Sequence, residues 1–359
     1  MKLLIIIFAY CNGLWCQGYL WPAPTNTGFG LINFRGEFVV APNFVFISEE
    51  NDGMFFFQDS SSFGFLNSSG EIAFRTYSDI SHFSEGVSSI KIGEKICFVD
   101  KKGDIVIDPV FDNYLLGCSY MCHTYFSEGL APIIITKRDM PEWHNYIFIN
   151  KQGRIAINET YTYAQNFSEG LAFVRFSDNS CGYIDHEGVL LIKLHDVQRG
   201  GPFSEGFALI LDNNYNIYFI DKQGNRLGDL LFSNAESFSD GLAKVTFSRS
   251  TLRIWGFINT SGELAIIPQF INATRFSNGL AAVVMMETNS NHHNPNTYII
   301  DKNGMIKYGP FKNTTIRSFK HGLALGTNSV SSDYQTNFYI DTIGKIVWKD
   351  SIYMDCTNY

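Results

Sequence analysis

The stretch Asn166-Phe167-Ser168-Glu169-Gly170-Leu171-Ala172-Phe173-Val174 decides the fold, because altered copies of it recur along almost the whole chain. The glycines of neighbouring copies are 35 to 43 residues apart. They are Gly86, Gly129, Gly170, Gly206, Gly241, Gly279 and Gly322. A period of this size indicates an array of structural repeats and takes precedence over a division into ordinary domains.

A second motif alternates with the first and consists of Asp or Asn, two residues and a glycine. It occurs at Asn33–Gly36, Asn67–Gly70, Asp100–Gly103, Asn150–Gly153, Asp185–Gly188, Asp221–Gly224, Asn259–Gly262, Asp301–Gly304 and Asp341–Gly344. An Asx side chain can accept a hydrogen bond from the backbone two residues on, and glycine takes φ > 0 without steric cost. We therefore predict hairpins with a type I turn and a bulge. Since Asp and Asn alternate freely, the motif does not require charge.

The recurring Phe and Gly positions are predicted to carry the structure. We expect each Phe of the first motif to anchor the core of its unit, and each glycine to allow an unusual backbone angle or a close approach. The residues assigned these roles are Phe126, Gly129, Phe167, Gly170, Phe203, Gly206, Phe238, Gly241, Phe276, Gly279, Gly188, Gly224, Gly262 and Gly304.

Composition and periodicity predict an all-β fold. Aromatic residues make up 15% of the 359 residues, and no segment shows helical periodicity. Each unit offers three or four short antiparallel strands, and neighbouring units must stack to bury their faces. A closed β-propeller of about eight blades is favoured, with an open β-solenoid as the alternative. We expect residues 29–44 and 319–348 to complete one unit split between the two ends.

The first 18 residues are predicted to be a cleaved signal peptide, because Lys2 precedes an apolar run of about eight residues. Residues 19–359 then form a single repeat domain in a secreted or periplasmic protein. No other stretch is apolar for long enough to span a bilayer. The cysteines of that domain are Cys97, Cys118, Cys122, Cys181 and Cys356, and their disulfide pairing is open. Cys118 and Cys122 lack the second ligand pair that zinc sites usually have.

The two motifs together resemble the WG-repeat (KWG) family. The unit of that family reads Phe-x-Glu-Gly-Leu-Ala-x-Val, then Trp-Gly-Tyr-Ile-Asp, two residues and Gly. Residues 167–174, 181–188, 238–245 and 255–262 match it well, although only Trp255-Gly256 keeps the eponymous pair. The resemblance covers about residues 29–348. It implies an interaction module with no shared catalytic residues.

The net charge and the motifs identified in the sequence favour a binding function over an enzymatic one. The net charge is −8 without a run of Lys or Arg, which disfavours nucleic acid as a partner. No catalytic, cofactor or metal motif is identified. Glu85, Glu128, Glu169 and Glu205 share one repeat position and could surround Ca²⁺ or a cationic ligand. Turn capping explains them better, because Asp240, Asn278 and His321 occupy the same position.

We predict a secreted scaffold that binds a protein or glycan partner. The alternative is a propeller-type hydrolase or lyase with acidic residues at the mouth of its channel. That alternative requires three or more acidic side chains to converge in one pocket, from a set that includes Asp112, Asp185, Asp196, Glu205 and Asp240.

Overall fold

The computed structural model describes residues 18–93, 95–112, 124–137, 140–248, 253–285, 296–329 and 334–353. These residues form 31 short β-strands and no helix, which confirms the predicted all-β class. Within them, no helix is long and apolar enough to cross a membrane. Residues 1–17 of the predicted signal peptide, together with Cys118, Cys122 and Cys356, lie outside the described residues.

The strands form nine consecutive antiparallel units, numbered here in chain order. Unit 1 contains β1 (Trp21–Thr25), β2 (Gly28–Ile32) and β3 (Phe38–Phe44). Unit 2 contains β4 (Phe46–Ile47), β5 (Met54–Gln58), β6 (Phe63–Asn67) and β7 (Ile72–Thr76). Unit 3 contains β8 (Val87–Ile92), β9 (Lys95–Asp100) and β10 (Ile105–Asp112).

The middle units repeat this pattern. Unit 4 contains β11 (Leu130–Lys137), β12 (Met140–Asn150) and β13 (Ile155–Tyr161). Unit 5 contains β14 (Tyr163–Ala164), β15 (Ala172–Arg175), β16 (Cys181–Ile184) and β17 (Leu190–Leu194). Unit 6 contains β18 (Val197–Ser204), β19 (Phe207–Asp212) and β20 (Ile217–Asp221).

Units 7 and 8 share one long strand, β24 (Leu264–Ala273), and so form a single seven-stranded sheet. Unit 7 also contains β21 (Asn234–Ala235), β22 (Leu242–Thr246) and β23 (Trp255–Asn259). Unit 8 adds β25 (Leu280–Met285), β26 (Asn296–Asp301) and β27 (Ile306–Lys312). Unit 9 contains β28 (Thr314–Ile316), β29 (Leu323–Ser329), β30 (Tyr334–Asp341) and β31 (Ile346–Tyr353).

The Asx-x-x-Gly motif forms the hairpin that leads into the outermost strand of each unit. In unit 5, the Gly188 amide donates to the Asp185 carbonyl, and Gly188 has φ +83°. The Asp185 carboxylate accepts the Glu187 amide at 3.1 Å and the Val189 amide at 2.8 Å. Asn150 makes the same two contacts with its amide oxygen. The predicted type I turn with a bulge is confirmed, and charge is not needed for it.

Each hairpin glycine also lies against the outermost strand of the preceding unit. A Cβ placed on Gly188 would lie 2.6 Å from Cγ2 of Ile157 in β13. Similar close contacts join Gly70 to Val40, Gly103 to Phe74, Gly153 to Ile107, Gly224 to Ile192 and Gly344 to Tyr308. Gly262 lies against Leu227, which follows β20, at 3.2 Å, and Gly304 makes an ordinary contact with Ile266 at 3.4 Å. These glycines therefore serve the packing between units as well as the turn.

The ninth copy of this contact joins the two ends of the chain. Gly36 in unit 1 lies against the backbone of Val347 and Cβ of Trp348 in unit 9. Trp21, Ile32, Tyr339 and Trp348 are buried in one cluster shared by these units. The array therefore returns to its start by face-to-face packing, as in a β-propeller. Among the described residues, no strand pair joins units 9 and 1.

The number and the ends of the units differ from expectation. The structure has nine units instead of about eight, because residues 29–44 and 319–348 belong to separate sheets and do not complete one split unit. The first three strands contain their own hairpin and outer strand, and β28 to β31 form a complete four-stranded sheet. Each end of the chain thus pairs its strands within its own unit.

The packing role of the hairpin glycine predicts unequal effects of two Gly→Ala changes. Gly170 has φ +88° but nothing within 4 Å of an added Cβ, so Gly170→Ala carries only the backbone strain, about 1–2 kcal/mol. Gly188→Ala should lose about 1–3 kcal/mol more, because its methyl group overpacks against Ile157. Urea unfolding of both variants measures the difference.

A rescue variant separates the clash from the strain. Ile157→Leu removes Cγ2 and should recover part of the loss in Gly188→Ala while recovering none in Gly170→Ala. Equal destabilisation by the two alanine variants would contradict the packing role.

Candidate functional site

The recurring acidic residues lie in tight turns and tie neighbouring units together. Glu169 and Gly170 both have positive φ and form the two-residue turn of a hairpin closed by Ser168 and Leu171. The Glu169 carboxylate leaves its own unit and accepts the backbone amide of Gly206 at 2.9 Å. It also pairs with Nζ of Lys222 at 3.2 Å.

The same amide-to-carboxylate bond links six consecutive junctions, from units 2 and 3 to units 7 and 8. The donors and acceptors are Gly86 to Asp52, Gly129 to Glu85, Gly170 to Glu128, Gly206 to Glu169, Gly241 to Glu205 and Gly279 to Asp240. We call this series the acidic belt. It accounts for the recurring acids as acceptors for the next turn.

A second bond runs beside the belt at five junctions. The hydroxyl of Ser168 donates to the carbonyl of Phe203 in the next unit at 2.7 Å, and four other serines do the same. The phenylalanines whose carbonyls accept are buried, including Phe126, Phe203 and Phe276. The Phe-Ser-Glu-Gly motif thus supplies a core side chain, a turn and two bonds to a neighbouring unit.

The electrostatics of Glu169 follow from these contacts. Burial by itself raises the pKa of this carboxyl, but the Gly206 amide and Lys222 outweigh it and hold the pKa below its ordinary value. Asp52, Glu85 and Glu128 also have a basic partner from the next unit, at 3.2 Å in each case. The contacts of these carboxylates therefore stabilise the junctions between units.

The acidic residues required by the hydrolase alternative lie in different turns. The Asp185 carboxylate caps its own hairpin, whereas Glu205 and Asp240 accept the amides of Gly241 and Gly279. Asp196 is a left-handed residue before β18, and the side chain of Asp112 lies outside the described residues. Within the described chain, no cluster of three His, Cys, Asp or Glu could hold a metal ion.

The described cysteines do not form a reactive centre. Cys97 and Cys181 are free and buried, and burial raises the pKa of both thiols. A raised pKa keeps a thiol protonated at neutral pH and lowers its reactivity. Each of the two therefore acts as a small core residue.

The junction of units 9 and 1 differs from the others because the described residues of unit 1 begin directly before β1, with no Phe-Ser-Glu-Gly turn ahead of it. Trp21 donates its indole N–H to the Lys320 carbonyl at 3.0 Å. The hydroxyl of Tyr339 donates to the Pro22 carbonyl at 2.9 Å. A small cleft remains here, with an apolar floor that includes Leu20 and Leu323. We call this region the closure seam.

Two prolines lie in β1, which is the last strand on its side of unit 1 within the described residues. Register places Trp21 and Ala172 at the same position, each opposite the residue that precedes the Asx. Pro22 and Pro24 then match Phe173 and Arg175, whose carbonyls bond to the first strand of unit 5. Proline has no N–H, so this edge of β1 offers only acceptors at these positions. The missing N–H donors disfavour pairing of this edge with another strand.

Charged side chains bridge the closure seam. His321 occupies the belt position of unit 9, and its Nε2 lies 3.6 Å from Oε2 of Glu50 in unit 2. Nζ of Lys320 donates to the Glu50 carbonyl at 2.7 Å and lies 3.3 Å from Glu49. The ring of Tyr19 stacks on His321 with centroids 3.7 Å apart. Side chains of unit 9 therefore contact unit 2 directly, across unit 1.

The outermost strands expose apolar side chains at one repeated position, five residues after the Asx. Ile155 on β13 is 58% exposed, whereas its cross-strand partner Ile149 is fully buried. The other exposed residues at this position are Phe38, Ile72, Ile105, Leu264, Ile306 and Ile346. We call these seven side chains the rim row. Motif spacing alone gives the positions of the rim row in the sequence. The exposure of these side chains could be assigned only from the fold.

The acidic belt predicts a graded response at Glu169. Glu169→Gln keeps an acceptor for the Gly206 amide and should cost no more than about 0.5 kcal/mol. Glu169→Leu leaves that amide without its acceptor and should cost about 1–2 kcal/mol. Urea unfolding tests the order, with the exposed Glu187→Leu as control. Equal losses in all three variants would contradict the role of the belt.

The closure seam predicts a pH dependence of stability that His321 carries. Burial, together with Lys320, lowers the pKa of His321 below its ordinary value of 6.5 and outweighs the opposite effect of Glu50 and Glu49. The unfolded chain then binds more protons below pH 6.5, so acidification should destabilise the fold. His321→Gln should reduce this loss between pH 7.5 and 5.5, as measured by thermal unfolding.

The control for the seam is His195→Gln, which removes an exposed imidazole elsewhere. A pH profile of His321→Gln that matches the unchanged protein would show that His321 does not carry the effect.

The comparisons with solved structures agree with the fold. The chain superimposes on a eukaryotic initiation factor with a TM-score of 0.63 at 13% identity, over 94% of this chain and 97% of that one. It is less similar to BamB from Moraxella catarrhalis, with a TM-score of 0.43, 10% identity and 95% of both chains covered. The WD40 β-propeller domain of Doa1 gives a TM-score of 0.34 at 12% identity, over 65% and 86%.

The comparison with protein families identifies the repeats. No curated protein sequence matches the chain significantly. The WG containing repeat matches at residues 63–95, 98–135, 148–179, 182–215 and 255–285. These segments hold the belt turns, the hairpins and the outermost strands of five units. The chain is therefore a WG-repeat protein.

Proposed function

We propose that this protein is a secreted scaffold that binds another protein through the rim row of its outermost strands. The exposed apolar side chains at one position in seven units carry the proposal. Arg226 stands at the same position in unit 6, so the sequence pattern alone does not impose an apolar residue there. Exposed apolar surface framed by polar residues is typical of protein interaction sites.

The remaining recurrent residues support binding in preference to chemistry. The acids that repeat are acceptors in the belt or caps in the hairpins, and the repeated Phe and Gly positions pack the core and the junctions. Repeat folds present broad surfaces suited to recognition. The surface between these structural positions is therefore where a partner would be recognised.

Secretion is supported by the apolar segment that follows Lys2 and by the architecture of unit 1. The described contacts of the closure seam involve Tyr19, Trp21 and Pro22, and Trp21 is buried there. A mature chain that begins near residue 18 would keep every contact of the closure seam described above.

Photo-crosslinking tests the proposed interaction surface. We expect a benzophenone amino acid at Ile155 or Ile105, which are 58% and 50% exposed, to yield a discrete crosslinked species in cells that secrete the protein. Tyr215, 66% exposed in the hairpin between β19 and β20, is the matched control and should yield none. Equal crosslinking at rim and control positions, or none at either rim position, would contradict the proposal.

The same preparation separates localisation from binding. N-terminal sequencing of the protein outside the cytoplasm should begin near residue 18. Retention of the intact chain inside the cell would refute secretion and leave the rim assignment to the crosslinks.

A further inference from the structure

The basic residues of this acidic protein are concentrated near its C-terminal end. Residues 302–349 contain seven Lys or Arg and two Asp, a net charge of +5. The whole chain has a net charge of −8, so the remaining residues carry −13. Such an asymmetry points to an interaction that one part of the surface makes and the rest does not.

Four of these lysines lie beside exposed apolar side chains on the outer edges of units 8 and 9. Lys307 and Lys312 are exposed on β27, and Lys345 and Lys349 are exposed at the hairpin and on β31. The apolar residues among them are Met305, Ile306, Ile343 and Ile346, which are 65%, 50%, 69% and 47% exposed. We call these eight residues the basic rim patch.

The two halves of the basic rim patch are contiguous. The hairpin of unit 9 lies on β27, because a Cβ on Gly344 would meet the Tyr308 ring at 2.5 Å. The Tyr308 hydroxyl donates to the Thr342 carbonyl of the same hairpin at 3.3 Å. These contacts place Ile343 and Lys345 beside the strand that carries Ile306 and Lys307.

The lysines of the patch differ from those of the acidic belt. Lys101, Lys151 and Lys222 each pair with a belt carboxylate at 3.2 Å. Among the described residues, none of the four patch lysines is in an ion pair. The patch therefore presents positive charge that the fold leaves unneutralised.

Protection of the sheet edge explains only half of the patch. Lysine on an outermost strand discourages pairing with another strand. Edge protection does not need Met305, Ile306 or Ile343, which expose apolar area and favour association. Lysines interspersed with aliphatic side chains suit a partner that brings both carboxylates and apolar groups.

We propose that the basic rim patch docks an acidic amphipathic segment of a partner protein. The apolar side chains of that segment would pack on the exposed aliphatic residues, and its carboxylates would face the four lysines. The proposal rests on the proposed function and specifies the sector of the rim and the charge of the partner. A protein segment fits better than an anionic membrane, because the patch has no aromatic anchor and the rest of the chain carries −13.

A model peptide of alternating Glu and Leu, labelled with fluorescein, provides the probe. We expect it to bind the secreted protein in 50 mM salt, as measured by fluorescence anisotropy, and to bind more weakly in 300 mM salt. The double variant Lys307→Glu/Lys349→Glu should weaken binding about tenfold, because two attractive contacts become repulsive. A peptide with Gln in place of Glu should lose affinity to a similar extent.

The matched control is Lys102→Glu/Lys193→Glu, which changes the net charge equally on exposed positions of units 3 and 5 and should weaken binding less than twofold. Equal weakening by both double variants, or equal binding of the Gln peptide, would overturn the proposal. So would preferential binding of the wild type to vesicles containing phosphatidylserine, or self-association in ultracentrifugation that the patch variant abolishes. Rim crosslinks at Ile155 without peptide binding here would refute this inference while leaving the proposed function intact.

Discussion

The close contact between a hairpin glycine and the outermost strand of the preceding unit is the constraint on which the architecture depends. A side chain at Gly188 would displace Ile157, and contacts closer than ordinary ones occur at seven other junctions. The turn itself needs positive φ at this glycine, so one residue type satisfies two independent requirements. Because unit 1 makes this contact with unit 9, the constraint also determines that the array closes on itself.

Units 9 and 1 close the ring without a strand pair between them, so side chains at the two ends of the chain supply the contacts. Among the described residues unit 1 has no strand before β1, and Trp21, Pro22, Pro24 and Tyr339 fill space there and satisfy or remove polar backbone groups. The acidic belt links units 2 to 8, whereas His321 of unit 9 pairs with Glu50 of unit 2 across unit 1. The closure seam therefore replaces backbone pairing by side-chain contacts, several of which are charged and sensitive to pH.

The sequence predicted the repeat, the hairpin turns and the all-β class because these depend on short-range chemistry. Asx and glycine three residues apart specify a turn wherever they occur. The structure has nine units where about eight were predicted, because the terminal parts lack complete copies of one motif and sequence spacing cannot show that each pairs within its own sheet. Glu169 was correctly placed in a turn, but its bond to Gly206, 37 residues on, depends on how units stack. The rim row and the basic rim patch were missed, because exposure of an Ile or Lys depends on which strand is outermost.

The central claim is that units 9 and 1 close the ring, and hydrogen exchange of the Trp21 indole tests it most directly. The acceptor of this N–H is the carbonyl of Lys320, which lies 299 residues away in sequence. NMR of the protein labelled with ¹⁵N-tryptophan, assigned with Trp21→Phe, gives the exchange rate of this single proton. Closure predicts strong protection, comparable to that of buried backbone amides. Exchange at the rate of a solvent-exposed indole would show that the array is open.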